Sequence, residues 1–106
     1  MQREEKEMYT GENLNKLGKV GDLAPDAMAA FWAFDKAALA EGEIPKKYKE
    51  LMAIAVALTT QCAYCIEVHR KAAIEAGATE KELAETVFVS SALRAGGALT
   101  HGTHLF

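Results

Sequence analysis

The sequence predicts an all-α fold, and three observations indicate it. Half of the 106 residues are apolar, yet no stretch shows the strict alternation, rich in β-branched residues and bounded by turn pairs, that is typical of strands. The two prolines, Pro25 and Pro45, both fit the first turn of a helix, where the missing N–H has no cost. Thr79 and Glu82 have the spacing of a capping box, which marks the start of a helix.

Five helices are predicted along the chain. A first, weaker helix is expected near residues 3–17, with an interruption around Gly11, and a second over residues 25–41. The third is expected over residues 45–58, the fourth over residues 62–76 and the fifth over residues 80–99. Gly42 and Gly77 follow helical stretches and are predicted to end them, because glycine accepts the left-handed conformation at a helix end. The tail "THGTHLF" is assigned to no element.

Length and composition predict one domain over residues 1–106, since a chain of this size can bury one modest core. The net charge of −3, without a basic stripe, argues against nucleic acid as a partner. The longest apolar run, residues 51–58, is far too short for a bilayer span, so no membrane partner is expected. The opening stretch "MQREEKEMYT" lacks the apolar region of a secretion signal, and we therefore expect a cytoplasmic protein.

The third predicted helix contains "LMAIAVAL", which is apolar on every side. Such a helix is expected to be buried all round. Glu50 stands immediately before this run, in the first turns of the helix, where the helix dipole favours a carboxylate. One interpretation of Glu50 is therefore a solvated residue near a helix start, and the other depends on the helix that follows.

The fourth predicted helix begins with "CAYCIEVH", in which Cys62, Cys65 and His69 share one face. Thr59 and Thr60 are expected to cap this helix, so that both cysteines lie near its first turn, where a thiolate is stabilised. His69 lies one turn beyond Cys65 and is placed to accept its proton. In a cytosolic chain, such a cysteine pair is more often catalytic or metal-binding than a structural staple.

Glu50 is predicted to lie beside His69. It is ten residues before the turn at Thr60, and His69 is nine after it, so an antiparallel hairpin of helices brings the two level. The carboxylate would then orient the imidazole and stabilise its charged form. The candidate catalytic residues are therefore Cys65 as nucleophile, its partner Cys62, His69 as base and Glu50 as the group that orients the base.

The spacing of these residues resembles the signature of the alkyl hydroperoxidase D family, in the carboxymuconolactone decarboxylase-like superfamily. Eleven residues separate Glu50 from Cys62, two separate the cysteines, and three separate Cys65 from His69. The resemblance implies an all-α fold with a central antiparallel helix pair and a homo-oligomer, often a trimer or hexamer. It also implies thiol-dependent reduction of peroxides or partner disulfides, with a thiol reductant that the sequence does not identify.

The resemblance also implies roles for the site residues. Cys65 would be the thiol that attacks peroxide, Cys62 the resolving thiol, and His69 with Glu50 the proton relay, with no cofactor and no metal. Family members with this peroxidase activity often carry a second histidine just before the latter cysteine, where this sequence has Tyr64, a poor proton acceptor. Dipole reasoning alone would favour Cys62 as the reactive thiol, but a base within reach acts directly on the proton, and we predict Cys65.

Four alternatives stay open on the sequence alone. A zinc site could use the two cysteines and His69, but zinc usually takes four ligands, and Glu50, His101 or His104 would have to complete the set. Both cysteines could instead be small buried core residues. A carboxymuconolactone decarboxylase-type lyase would need a site for a charged lactone, and a non-enzymatic oligomeric module could sense redox state with the same thiols.

Several residues outside the motif indicate subunit contacts. Phe31, Trp32 and Phe34 on the second predicted helix are expected in core or interface packing rather than in a cofactor site. A chain of this size covers a wholly apolar helix and these aromatics poorly by itself, so a homo-oligomer is expected. Gly96 and Gly97 either permit close helix contact between subunits or end the fifth helix. His101 and His104 are expected in a solvated tail or at a subunit interface.

Overall fold

The structure, a computed structural model, describes residues 11–106, and helices dominate this range. The elements are a 3-10 helix (Gly11–Lys16), α1 (Leu17–Leu23), α2 (Pro25–Leu39), α3 (Lys46–Thr60), α4 (Ala63–Glu75), α5 (Glu80–His101) and a last 3-10 helix (Gly102–Leu105). Over the described range there is no β-strand, and the predicted all-α class is confirmed. None of these helices is both long and apolar enough to cross a bilayer.

The chain divides into two compact units, one ending at Ala40 and the other spanning Glu41 to Phe106. In the first unit α1 packs against α2. A Cβ atom on Gly21 would lie 3.1 Å from Met28 Cγ, so glycine permits the close approach of these two helices. The prediction of a single domain over residues 1–106 stays a prediction.

The helix bounds in the first unit differ from the predicted ones. Residues 3–10 lie outside the described part of the chain, and α1 continues to Leu23 instead of ending at residue 17. It stops there because Ala24 precedes Pro25, which excludes the α conformation, and Pro25 opens α2 as predicted. Gly42 was expected to end the second helix, but α2 ends earlier, at Leu39.

The second unit consists of α3, α4 and α5, with α3 packed against both of the others. Gln61 links α3 to α4 and adopts the left-handed conformation, with φ of 59°, so the chain reverses direction in a very short turn. The central antiparallel helix pair predicted from the sequence is therefore confirmed. Gly77, with φ of 98°, follows α4 in the same left-handed region, as predicted for a helix stop.

Three polar contacts tie α5 to α3. Lys47 Nζ lies 2.9 Å from Glu82 Oε2, Ser90 Oγ donates to the Ala55 carbonyl at 3.2 Å, and Arg94 Nη1 donates to the Thr59 carbonyl at 2.9 Å. Each contact joins residues that are 35 positions apart in sequence, so the residue numbers increase in the same direction along both helices. α5 therefore runs parallel to α3, and α4 runs antiparallel to both.

The prediction that the third helix is buried all round is wrong for the single chain. Ile54 and Ala57 are buried, whereas Met52 is 52% exposed and Val56 is 59% exposed. The physical reason is that α3 has two neighbouring helices in the described part of the chain, and two neighbours cannot enclose a helix.

The start of α5 has the predicted capping box, but its end differs from the prediction. Thr79 Oγ1 accepts the Glu82 N–H at 3.1 Å, and Glu82 Oε1 accepts the Thr79 N–H at 2.9 Å. The helix continues through Gly96 and Gly97 to His101, so these glycines do not end it. A Cβ atom on either glycine would meet nothing within 4 Å, and packing within the chain does not require glycine there.

Candidate active site

The turn between α3 and α4 positions the cysteine motif. Gln61 reverses the chain, and the Cys62 N–H donates to the Ala57 carbonyl at 3.1 Å, which ties the turn to the end of α3. Cys62 is itself the N-cap of α4, because its Sγ accepts the Cys65 N–H at 3.2 Å. The first sulfur thus sits at the positive end of α4, and the second lies in the first turn of that helix.

The expected capping role of Thr59 and Thr60 is wrong. Both residues belong to the last turn of α3, and their hydroxyls donate backward, to the carbonyls of Val56 at 2.7 Å and Ala57 at 3.4 Å. Short hydroxyl side chains bond local carbonyls in this way whenever the helix continues through them. The cap of α4 therefore falls to Cys62.

Cys62 and Cys65 are joined by a disulfide, with their Cα atoms 5.3 Å apart. Both residues are partly exposed, so the interpretation of the pair as buried core residues is wrong. A disulfide across four residues at the start of a helix requires the i, i+3 spacing that the sequence shows. The chain therefore presents its two sulfur atoms together, with access to solvent.

Glu50 is a buried carboxylate, with only 2% of its surface exposed. Its Oε2 lies 2.7 Å from His69 Nδ1, and its Oε1 accepts from Lys46 Nζ at 2.8 Å. The structure thus brings Glu50 and His69 together as the helical hairpin predicts. The interpretation of Glu50 as a solvated residue is wrong, because the folded chain removes nearly all of its surface from solvent.

Lys46 is the member of this group that the sequence reasoning missed. It stands one turn before Glu50, and the i, i+4 spacing of opposite charges was the signal that could have found it. The side chain of Lys46 is 47% exposed, whereas that of Glu50 is 3% exposed. The ammonium of Lys46 is therefore partly exposed to solvent and bonds the almost fully buried carboxylate of Glu50.

The charge state of the site follows from these contacts. Burial by itself raises the pKa of Glu50, because desolvation penalises the charged form. The hydrogen bonds from Lys46 and His69 outweigh burial and hold the pKa of Glu50 below its usual 4.5. The carboxylate is ionised at neutral pH and acts as an acceptor, so Nδ1 of His69 is the donor. In the neutral ring, Nε2 then carries the lone pair that can take a proton.

The zinc alternative requires a cluster of ligand side chains. Over residues 11–106, no three or more His, Cys, Asp or Glu side chains are grouped so as to hold a metal ion. His101 and His104 are exposed near the end of the chain, with ring centroids 5.8 Å apart. They form a pair with each other rather than a completed site with the cysteines.

Comparison with known proteins assigns the family. The sequence model of the carboxymuconolactone decarboxylase family matches residues 25–106 of the chain. The chain belongs to the carboxymuconolactone decarboxylase family. The match contains all four predicted site residues, from Glu50 to His69, and the family resemblance inferred from their spacing is confirmed.

Two relatives are similar to this chain over most of its length. Uncharacterised protein 4 in the cox locus of Paracoccus denitrificans is 40% identical over 85 residues, covering 80% of this chain and 77% of that protein. An uncharacterised protein of Cupriavidus necator is 35% identical over 81 residues, covering 76% of this chain and 72% of that protein. Neither relative has a characterised activity.

Two solved structures share the fold of this family member. The crystal structure of an apo carboxymuconolactone decarboxylase family protein from Legionella pneumophila superposes with a TM-score of 0.76 at 32% identity, covering 90% of this chain and 85% of that one. A protein from Methanobacterium thermoautotrophicum gives a TM-score of 0.75 at 33% identity, covering 80% of this chain and 96% of that one. The predicted fold of the family is therefore confirmed.

Proposed function

We propose that the protein is a thiol-dependent oxidoreductase that reduces peroxides, alkyl hydroperoxides among them, or disulfides through the Cys62–Cys65 pair. Glu50 and His69 serve as its proton relay. The single observation that carries the proposal is the contact between the buried Glu50 carboxylate and His69, whose helix begins at the partly exposed disulfide. A structural disulfide would not need an ionised, buried carboxylate to hold a histidine on the cysteine face.

The first half of the reaction uses the reduced protein. Nε2 of His69 accepts the proton of the Cys65 thiol, and Glu50 stabilises the imidazolium that results. The thiolate then attacks one peroxide oxygen and the O–O bond breaks. The departing alkoxide takes the proton from His69 and leaves as an alcohol, while Cys65 becomes a sulfenic acid.

The second half closes the disulfide and reopens it. The Cys62 thiol attacks the sulfenic sulfur of Cys65, an S–S bond forms, and water leaves with the thiol proton. A dithiol reductant then exchanges with the disulfide, is itself oxidised and returns both cysteines to thiols. Reduction of a partner's disulfide would follow the same exchange in the opposite direction, with Cys65 as the attacking thiolate.

The choice of Cys65 over Cys62 rests on a comparison of two effects. The N-cap position of Cys62 and its bond from the Cys65 N–H favour a thiolate on Cys62. The dipole effect is typically about 0.3–1 kcal/mol, whereas a base one turn away takes up the proton directly. Cys65 is therefore the attacking thiol in the proposal, and Cys62 is the resolving one.

The experiment that tests the proposal is peroxide consumption by the purified protein with a dithiol reductant. Organic hydroperoxide and hydrogen peroxide are offered separately, and Cys65→Ser should abolish turnover of both. Without the reductant, Cys62→Ser should consume one equivalent of peroxide and stop at the sulfenic acid, because no second cysteine in the chain resolves it. Ser91→Ala, an exposed position on α5, is the matched control and should keep full activity.

Two outcomes of the same experiment separate the rival functions. Peroxide turnover that survives Cys65→Ser would contradict the thiol mechanism. A wild-type protein that consumes neither peroxide nor disulfide and whose cysteines stay unreactive would leave a lyase of the type in the family's name. Oxidation of the cysteine pair without repeated turnover would indicate a redox-sensing module, since a sensor and a catalyst share the same reactive thiol.

A homo-oligomer, a trimer or hexamer, is part of the proposal. Its support is the set of large apolar side chains that the single chain leaves exposed on α3 and α5. Met52 and Val56 on α3 are 52% and 59% exposed, and Phe88 and Leu93 on α5 are 73% and 69% exposed. Apolar area of this kind is typical of subunit contacts. The other proposed partners are the peroxide or partner disulfide and the thiol reductant.

A further inference from the structure

Two positive groups share the carboxylate of Glu50. Lys46 Nζ donates to Oε1 at 2.8 Å, and His69 Nδ1 donates to Oε2 at 2.7 Å. Since each oxygen has its own partner, the plane of the carboxylate is fixed between the two groups. Removing Lys46 or His69 would allow the Glu50 carboxylate to rotate, or would change the net charge that the remaining partner faces.

The charge balance at this point decides what His69 can do. A buried, ionised carboxylate beside an imidazole favours the imidazolium, and an imidazolium cannot accept a proton. A general base works best when it is neutral at the start of the step and charged at its end. The ammonium of Lys46 offsets part of the negative charge of Glu50 and so weakens the pull towards the imidazolium.

We propose that Lys46 is a positioning residue of the site: it fixes the Glu50 carboxylate towards His69 Nδ1 and offsets part of its negative charge, so that the imidazole faces less charge than a lone carboxylate would present. The inference deepens the proposed function and rests on it for the role of His69 as a base. Lys46 itself acts through Glu50 and takes no part in the bonds that form and break.

The surrounding charges leave this role to Lys46. Among residues 11–106, the groups that act on Glu50 are Lys46 from its own helix and His69 from α4. On the other side of α3, α5 contributes Glu82, which pairs with Lys47 at 2.9 Å and does not act on Glu50. Lys47 is thus a lysine adjacent in sequence whose ion pair lies elsewhere, which makes it a matched control.

The test is an NMR titration of the histidine rings in the full chain with the disulfide intact. In that form neither cysteine titrates, so the His69 midpoint reports Glu50 and Lys46 without any contribution from thiols. The His69 signal is assigned by its loss in His69→Asn, and the signals of His101 and His104 are internal references. Lys46→Gln and Lys46→Met should each move the His69 midpoint upward by about half a pH unit to one unit, the effect of one well-screened charge.

The control variants decide whether charge is the cause. Lys46→Arg keeps the charge and should leave the midpoint in place, and so should Lys47→Met. An unmoved midpoint in Lys46→Gln, or a downward shift, would overturn the inference. A shift in Lys46→Met but not in Lys46→Gln would also overturn it, because the glutamine keeps a donor and loses only the charge.

A second measurement connects the inference to chemistry. In the reduced protein, the rate of Cys65 alkylation is followed against pH, and its rise should move upward in Lys46→Gln by the same amount as the His69 midpoint. If the midpoint stays fixed while the wild-type protein consumes peroxide, the inference fails and the proposed function stands. If the midpoint and the alkylation profile shift together while no peroxide or disulfide is turned over, the inference stands for the pair and the proposed function fails.

Discussion

Glu50 Oε2 lies 2.7 Å from His69 Nδ1, although 19 residues separate the two in sequence. The contact joins α3 to α4, on the two sides of the short turn that precedes the cysteine pair. It places an ionised, buried acceptor behind a histidine on the cysteine face of α4.

Replacing Glu50 with glutamine should lower both stability and thiol reactivity. The amide keeps the shape but loses the charge that Lys46 and His69 bond, and the free energy of unfolding should fall by about 1–3 kcal/mol. Alkylation of Cys65 at neutral pH should slow only mildly, because His69 remains. Urea denaturation and timed alkylation measure the two effects. Glu67→Gln, an exposed position on α4, is the control, and an equal loss there would contradict the role of Glu50.

Stability should fall as the solution becomes acidic, in a window set by Glu50. Its pKa in the folded protein is below the usual 4.5, so its contribution is present above about 4.5 and is lost as pH falls through the folded value. Glu82, whose pKa is also lowered by its hydrogen bond from Lys47, should contribute in the same direction. Urea denaturation at several pH values should show a shallower acid loss in Glu50→Gln than in the wild-type protein, and identical slopes would contradict the assignment.

Replacing His69 with alanine should slow the alkylation of Cys65 near neutral pH by about tenfold, since no base one turn away then takes up the proton of the thiol. Limited alkylation followed by mass spectrometry shows which cysteine reacts first. His104→Ala, an exposed histidine remote in sequence, should leave the rate unchanged. Labelling of Cys62 first, together with an unchanged rate in His69→Ala, would show that the helix N-terminus controls reactivity and that the relay is wrongly assigned.

In solution the protein should be larger than one chain. Light scattering should give a multiple of 11.5 kDa at micromolar concentration. Phe88→Glu and Leu93→Glu should shift the mass towards that of a single chain, because a charge would then lie within an apolar contact. Lys81→Glu, at an exposed polar position of the same helix, should not change the mass. A mass of 11.5 kDa for the wild-type protein at all concentrations would contradict the oligomer.

Features that depend on local spacing could be predicted from the sequence. The capping box at Thr79 and Glu82 needs only three residues of regular geometry, and it forms as expected. The contact between Glu50 and His69 requires only two helices and one short turn. Equal rise per residue on both sides of the turn was enough to predict it. The signature that these residues share with the family is local for the same reason.

Features that depend on competition between partners could not be predicted in this way. Thr59 and Thr60 were equally able to cap α4 or to bond the preceding carbonyls of α3. Because Gln61 adopts the left-handed conformation, α3 ends after Thr60 and both threonines belong to its last turn. Burial around α3 depends on how many helices surround it, a quantity that the run "LMAIAVAL" does not contain. Lys46 differs from these cases, since its i, i+4 spacing from Glu50 is a local signal that the sequence contains.

The contact between Arg94 and Thr59 bears on whether the cysteine motif could fold by itself. Arg94 Nη1 bonds the Thr59 carbonyl, three residues before Cys62 and 35 residues before Arg94 itself. The turn that carries the sulfur atoms is thus anchored by a helix that lies wholly outside the signature. A twenty-residue peptide running from Glu50 to His69 would retain the four site residues and lose this brace, together with Lys46, the partner of Glu50 Oε1. A design that places the signature on another helical hairpin would therefore need a counterpart of α5 as well.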